Sequence, residues 1–117
     1  MWQLPETLRE IEEAGDDSIV LELIDSFQQD TASRLQRLHE AVARFDADRV
    51  KAEAHSVRGA ARQMGAEGLA ELCRAVEAGA PQKNWPELED QVNRAEVQFA
   101  EVRTAMSEYA SGKRRGR

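Results

Sequence analysis

The sequence is poor in the residues that build disulfide frameworks, β-sheets and membrane spans. Its 117 residues include 1 Cys, 3 Pro and 5% aromatic residues, and β-branched residues never cluster in alternation. One cysteine cannot form an intramolecular disulfide or, by itself, a cysteine-based zinc site. No apolar run approaches the roughly 20 residues of a membrane-spanning helix, and residues 1–6 lack the basic start and apolar middle of a secretory signal. We therefore expect a cytoplasmic, helical protein with no membrane partner.

Positive charge is also in short supply. The chain carries 16 Lys or Arg against 22 Asp or Glu, a net charge of -6, which disfavours nucleic acid as a partner. The exception is residues 113–117, a segment rich in Lys and Arg. The length suits one compact domain. We predict a single domain over residues 1–112 followed by a basic, frayed tail over residues 113–117.

Apolar residues recur every three or four positions in a series of segments, and this is the period of an amphipathic helix. The segments cover residues 4–13, 18–45, 50–64, 69–76 and 85–109. They are separated by helix-ending signals, among them Gly15, Gly65 and Gly79-Ala80-Pro81. Short connections make neighbouring helices antiparallel. The predicted fold is all-α, an antiparallel up-down four-helix bundle preceded by a short N-terminal helix.

The third helix carries a polar group that stands out from its surroundings. With the apolar stripe centred on Val50 at about 100° per residue, His55 lies near 140° and points to solvent. The positions beside it, at about 80–120°, belong to the cations Lys51, Arg58 and Arg62. Gly59 follows one turn after His55. The pattern predicts an exposed imidazole with cations and a missing side chain around it.

Such an arrangement suits phosphoryl chemistry. A neutral imidazole offers a nitrogen nucleophile without a separate base, and neighbouring cations offset the charge of a phosphoryl group. Arg58 can donate charge-assisted hydrogen bonds to phosphate oxygens. A glycine such as Gly59 lowers the stability of a helix by about 1 kcal/mol relative to alanine. It also leaves room for a partner beside the ring. Exposed histidines between cations also occur on helices without a role, so the pattern alone leaves both interpretations open.

The stretch AHSVRGAARQMGA over residues 54–66, continued by Leu69, Leu72-Cys73 and Glu77, resembles the signature of histidine-containing phosphotransfer (HPt) domains. That signature has a histidine, a basic residue and a glycine one helical turn later, a Gly-Ala pair, and a leucine-rich helix closing on glutamate. Residues 21–27 and 34–38 look like the preceding helix of the family, so the resemblance covers about residues 4–110.

The resemblance implies a phosphorelay intermediate of two-component signalling. His55 would accept a phosphoryl group from the aspartyl phosphate of a receiver domain and pass it to another receiver aspartate, and Arg58 would stabilise the phosphate charge. The implied partner-binding residues are Lys51, Ser56, Arg58, Gly59, Arg62 and Gln63. The chain departs from the family pattern with Arg58 where lysine is usual, Ala60-Ala61 where serines are frequent, and the added cation Arg62. These departures leave the transfer rate and the choice of partner open.

The implied partners are response-regulator receivers and a hybrid sensor histidine kinase, and the chain itself is expected to be a monomer. The sequence has no ATP-binding, kinase or hydrolase motif and no metal-ligand cluster, so we expect a phosphoryl carrier without enzyme activity or cofactor, and Mg²⁺ on the receiver. The alternative is a helical interaction module that binds receivers or other proteins without carrying phosphate. His39 is expected at the surface or at the boundary of the core, and Cys73 in the core.

Overall fold

The computed structural model describes residues 2–116, and helices dominate this part of the chain. In order they are α1 (Glu6–Glu13), α2 (Asp17–Ala43), α3 (Ala47–Gln63), α4 (Glu67–Gly79), a 3₁₀ turn (Ala80–Gln82) and α5 (Trp85–Arg115). Helices α2 to α5 pack in chain order, and α5 closes on α2. The described residues form no strand. The predicted all-α bundle with its short leading helix is confirmed.

The core consists of the apolar stripes that the sequence pattern predicted. On α3, the residues Val50, Ala54, Val57 and Ala61 are all 0% exposed. Each helix is apolar along one stripe only, so the four long helices bury these stripes by facing one another. In residues 2–116, no helix has the length and apolar character needed to cross a lipid bilayer.

The connections after α1, α2 and α3 share one backbone design. Gly15, Phe45 and Gly65 adopt positive φ angles of 92°, 58° and 71° there. In each connection this residue donates to the carbonyl three positions back, and the next residue donates to the carbonyl five back, which is the Schellman motif. Asp16 and Asp46 then cap α2 and α3 with their side chains. Glycine enters this left-handed conformation freely, whereas Phe45 adopts it against the preference of an L-residue.

The N-terminal segment packs against the end of α5. The Tyr109 hydroxyl donates a hydrogen bond to the Glu12 carboxylate, and Lys113 Nζ lies 3.2 Å from Glu12 Oε1. Trp2 Nε1 donates to the Met64 carbonyl at 2.7 Å, and its ring meets Tyr109 edge to face. These contacts fix the residues before α2 on both the α3–α4 turn and the final turns of α5.

Residues 113–115 of the predicted frayed tail are helical in the structure. Helix α5 continues through Arg115. The ion pair between Lys113 and Glu12 anchors this end on α1, and cations in the last turn of a helix interact favourably with its dipole. Arg117, which belongs to the predicted tail, lies outside the described residues.

One polar side chain in the core lacks a hydrogen-bond partner. Thr31 is 0% exposed on α2, and its Oγ1 bonds to no group within residues 2–116. By contrast, the exposed Thr104 donates from its hydroxyl to the Ala100 carbonyl at 3.0 Å. A buried hydroxyl without a partner destabilises a fold because it has given up its bonds to water.

Replacing Thr31 by valine keeps the shape of the side chain and removes this hydroxyl. We expect Thr31→Val to raise the free energy of unfolding by about 1 kcal/mol, which corresponds to a melting temperature higher by roughly 4 °C. Urea and thermal unfolding followed by circular dichroism measure both quantities. Thr104→Val is the matched control and should change stability by less than about 0.5 kcal/mol. Lower stability in Thr31→Val would contradict the assignment and indicate a bound internal water.

Candidate functional site

His55 lies in the middle of α3 and faces solvent, as the helical pattern predicted. Its side chain is 63% exposed, whereas its neighbour Ala54 and the residue Val57, two positions on, are fully buried. The packing of α3 in the bundle therefore fixes the helix face that presents the imidazole.

The imidazole is hydrogen-bonded to a carboxylate on the next helix. His55 Nδ1 lies 2.9 Å from Oε1 of Glu77, near the end of α4, and the Glu77 side chain is only 17% exposed. An ionised carboxylate can only accept hydrogen bonds, so Nδ1 carries the proton in this pair. In the neutral ring the other nitrogen, Nε2, then keeps its lone pair. The contact thus selects the nitrogen that is able to act as a nucleophile.

Arg58 contacts the other oxygen of the same carboxylate. Its Nη1 lies 3.5 Å from Glu77 Oε2, and its side chain is 28% exposed. Glu77 Oε2 is buried and makes no hydrogen bond with the described residues, so this longer ion pair is its principal polar contact. Glu77 therefore places an imidazole and a guanidinium beside each other on one face of α3.

The other predicted site residues surround His55 at different depths. Lys51, Arg62 and Gln63 are exposed, and Ser56 is half-buried. Gly59 is exposed, and a Cβ atom built on it would meet nothing within 4 Å. Neither Lys51 nor Arg62 takes part in an ion pair within residues 2–116. The surface beside the ring is thus open, with unpaired positive charge.

A second histidine provides an internal comparison. His39 on α2 is 51% exposed, and its Nδ1 lies 3.6 Å from Glu96 Oε1 on α5. Its sequence neighbour is the exposed Glu40 rather than a cation. Both histidines therefore pair with a glutamate of an adjacent helix, but only His55 has arginine and lysine beside it.

Cys73 takes no part in this site. It is 0% exposed, and burial raises the pKa of its thiol to about 12. The nucleophilic thiolate form is therefore absent near neutral pH. The prediction that Cys73 belongs to the core is confirmed.

Glu77 has a role that the sequence pattern did not predict. In the sequence it stands out only as the glutamate that closes the leucine-rich helix. The antiparallel arrangement of α3 and α4 offered a usable signal, because residues 55 and 77 stand at equal distances in sequence from Ala66, next to the turn. A hairpin of two helices brings such positions level with each other.

A second unpredicted feature is the ion-pair cluster around Glu53. The side chain of Glu53 is 10% exposed and lies 3.3 Å from Arg34 and 2.9 Å from Arg37, both on α2. Arg49, on α3 itself, lies 3.9 Å away. These contacts join α3 to α2 on the flank of α3 that does not carry His55, so they contribute to the placement of the helix and not to the exposed site.

The Hpt domain family model matches residues 22–112 of the chain. The chain belongs to the Hpt domain family. Helix α1 precedes the matched segment, and Lys113, which pairs with Glu12 of α1, follows it. The packing of the N-terminal segment on the end of α5 thus lies largely outside the part of the Hpt domain that the family model covers.

Two solved structures of this family have the same fold. The crystal structure of histidine-containing phosphotransfer protein B (HptB) from Pseudomonas aeruginosa PAO1 shares 29% sequence identity with a TM-score of 0.82, and the alignment covers 92% of this chain and 94% of that one. The crystal structure of the histidine-containing phosphotransfer protein ZmHP2 from maize shares 17% sequence identity with a TM-score of 0.82. That alignment covers 92% of this chain and 89% of the maize protein. At 17% identity the likeness concerns the fold alone. No curated protein matches the chain.

Membership of the Hpt domain family gives the general role of the chain. It is a histidine phosphotransfer intermediate of a phosphorelay. Hpt domains interact with receiver domains and histidine kinases in these pathways.

The contact with Glu77 predicts a specific tautomer for His55. At pH 8.5, where an ordinary imidazole is neutral, ring ¹⁵N chemical shifts should show a protonated Nδ1 and an unprotonated Nε2 on His55. In Glu77→Ala the two His55 shifts should move toward each other or exchange, because the acceptor for Nδ1–H is lost. The His39 ring is the internal control and should keep its shifts. Unchanged His55 shifts in Glu77→Ala would contradict the assignment.

Proposed function

We propose that Nε2 of His55 is the phosphoryl acceptor of this Hpt domain. The observation that carries the proposal is the exposed imidazole whose Nδ1 is bonded to Glu77 while three cations lie on the same helix face. His39 lacks such cations, which makes it a poor candidate for the same role.

The transfer reaction requires a nitrogen lone pair and compensation of the charge that develops on the ring. Nε2 attacks the phosphorus of a receiver aspartyl phosphate, the N–P bond forms, and the P–O bond to the aspartate breaks so that the carboxylate leaves with the electron pair. The ring then carries positive charge with its proton still on Nδ1. Glu77, 2.9 Å away, balances that charge and holds the ring in place. The onward transfer to a second receiver aspartate is the reverse sequence.

The cations of α3 act on the phosphoryl group itself. Arg58 is held beside the imidazole by Glu77 and presents a guanidinium, which donates strong hydrogen bonds to phosphate oxygens. Lys51 and Arg62 add positive charge without a competing ion pair among the described residues. The chain contributes positioning and electrostatic stabilisation. In this proposal it has no kinase or hydrolase activity and binds no cofactor, and the receiver brings Mg²⁺.

The docking partner is a receiver domain with an acidic pocket, and the upstream donor is a hybrid sensor histidine kinase. From Arg44 to Arg62 the chain has five Lys or Arg against three Asp or Glu, a local charge of +2 within a total of -6. Such a patch attracts and orients an acidic partner. Ser56, Gly59 and Gln63 complete this surface, and the small residues Ser56 and Gly59 let a receiver approach closely. We propose that the domain works as a monomer in the cytoplasm.

Removing the acceptor should abolish the relay and leave the docking surface intact. We expect His55→Gln to carry no acid-labile phosphate after incubation with phosphorylated receiver domains, while receiver affinity stays within about threefold of wild type. Phosphoryl transfer followed by mapping of the labelled residue, together with isothermal titration, tests both statements. His39→Gln is the matched control and should be labelled like wild type. Label on His55→Gln would refute the proposal, and wild type that binds receivers without becoming labelled would favour a phosphate-free interaction module.

Filling the space next to the ring should weaken docking without harming the fold. The Cβ of a side chain at Gly59 meets nothing within 4 Å, and leucine favours helix over glycine. We therefore expect Gly59→Leu to unfold at an equal or higher urea concentration than wild type. Its Kd for the receiver should rise by about tenfold, or roughly 1.4 kcal/mol. Gly112→Leu, at an equally open position on α5, is the control. Unchanged receiver affinity in Gly59→Leu would refute the role of this opening.

A further inference from the structure

The turn between α2 and α3 combines an unfavourable backbone conformation with an exposed aromatic ring. Phe45 has φ of 58° at the position that glycine occupies in the two other Schellman turns, and its side chain is exposed, with 67% of the residue surface accessible. L-residues with bulky side chains rarely adopt this conformation. Local backbone preference therefore favours glycine here, and solubility disfavours phenylalanine. The contacts of the Phe45 side chain indicate a role for this residue at the surface.

Phe45 forms one wall of an apolar groove at the end of the bundle. Its ring meets the ring of Trp85, the first residue of α5, edge to face at 5.4 Å between centroids and an angle of 73°. Together with Val42 and Pro86 the two rings line a groove of about 380 Å³. The contact with Trp85 leaves most of the Phe45 surface exposed to solvent. The apolar surface is therefore available to a partner.

The groove continues along the seam between α2 and α5. A second hollow of about 430 Å³ lies over Leu35 and Phe99, and His39 lines both hollows. From Leu35 to Phe45 the seam follows α2 for about 15 Å, the length of roughly three turns of helix. Leu35 and Phe99 are only 3% and 7% exposed, so the accessible apolar surface of the seam lies at the end formed by Phe45.

The charged groups that line this seam have one sign. They are Glu40, Glu89 and Glu96, with His39 as the only other ionisable group in the two linings. Arg103 lies 5.9 Å from the centroid of the Phe99 ring but does not line the hollow. The seam is therefore apolar along its floor and acidic along its rim, in contrast to the basic surface around His55.

We propose that the α2–α5 seam binds a basic amphipathic helix of a partner protein. Phe45 and Trp85 contact the apolar face of that helix, and the three glutamates of the rim pair with its lysine or arginine residues. A helix lying in an apolar groove with anchors one or two turns apart is a common mode of peptide recognition. His55 lies on the α3–α4 side of the bundle, so this helix leaves the imidazole accessible. The proposal does not depend on the phosphoryl chemistry of His55.

The probe is a synthetic peptide of leucine and lysine, about 14 residues long, with leucine at helical spacing. Trp2→Phe leaves Trp85 as the single tryptophan, and its fluorescence reports occupation of the groove. Two peptides serve as matched controls, one with glutamate in place of lysine and one with the same composition in scrambled order. We expect saturable binding of the basic amphipathic peptide and at least tenfold weaker binding of both controls.

Variants of the chain assign the binding to the seam. Phe45→Gly should weaken binding of the basic peptide by at least tenfold. Its melting temperature should stay equal or rise, because glycine accepts the left-handed backbone. The charge reversal Glu89→Lys should weaken binding and reduce its dependence on salt. Val97→Ser replaces an apolar residue, 59% exposed, elsewhere on α5. This control should leave the affinity for the basic peptide unchanged.

Each contrary result identifies another role for the seam. Equal affinity for the three peptides, or unchanged affinity in Phe45→Gly, would overturn the proposal. A lower melting temperature in Phe45→Gly with unchanged peptide affinity would assign Phe45 to the stability of the turn alone. A dimer in sedimentation equilibrium that Phe45→Gly abolishes would identify a second copy of this chain as the occupant and also overturn the proposal.

Discussion

The rest of the site depends on the contacts that the Glu77 carboxylate makes with His55 and Arg58. It accepts from His55 Nδ1 at 2.9 Å, lies 3.5 Å from Arg58, and has only 17% of its side chain exposed. A carboxylate withdrawn from water loses hydration, and such partners compensate for that loss. The bundle therefore holds a fixed negative charge behind the imidazole. That charge orients the ring. In the proposed transfer it leaves Nε2 as the nucleophile and is already in place when the ring becomes positive.

The position of Glu77 depends in turn on the register of the α3–α4 hairpin. Gly65 makes the turn at φ of 71°, and a Cβ built on it would lie 3.1 Å from Cγ of Pro5. Trp2 stabilises the same turn by donating a hydrogen bond to the Met64 carbonyl. Each residue of slip between two helices displaces side chains by about 1.5 Å, enough to lengthen the bond to His55 beyond hydrogen-bonding range. Contacts far from the imidazole thus maintain its geometry.

Sequence patterns predicted the parts of the molecule that depend on local periodicity. The buried stripe of α3, the exposure of His55 and the glycine-ended turns all follow from spacing within one helix or one turn. The contacts of Tyr109 and Lys113 with Glu12 could not be predicted in this way. Tyr109 and Lys113 lie 97 and 101 positions after Glu12 in the chain. Glu77 was missed for a related reason. Its role arises between two helices, and a pattern read along one helix contains no information about the register of its neighbour.

Some exposed residues depart from local preference where the packing does not demand it, and two of them lie on the surfaces described above. Gly59 lowers helix propensity where a Cβ would fit freely, and Phe45 strains a turn that glycine forms twice elsewhere. Neither residue belongs to the buried core. Local and global preferences agree in a sequence shaped by folding alone, so a disagreement beside an exposed imidazole or an apolar groove favours a role in binding. The two departures lie on surfaces of opposite charge, the basic α3 face and the acidic α2–α5 seam. The bundle is therefore built to present two chemically different faces, of which only one carries the imidazole.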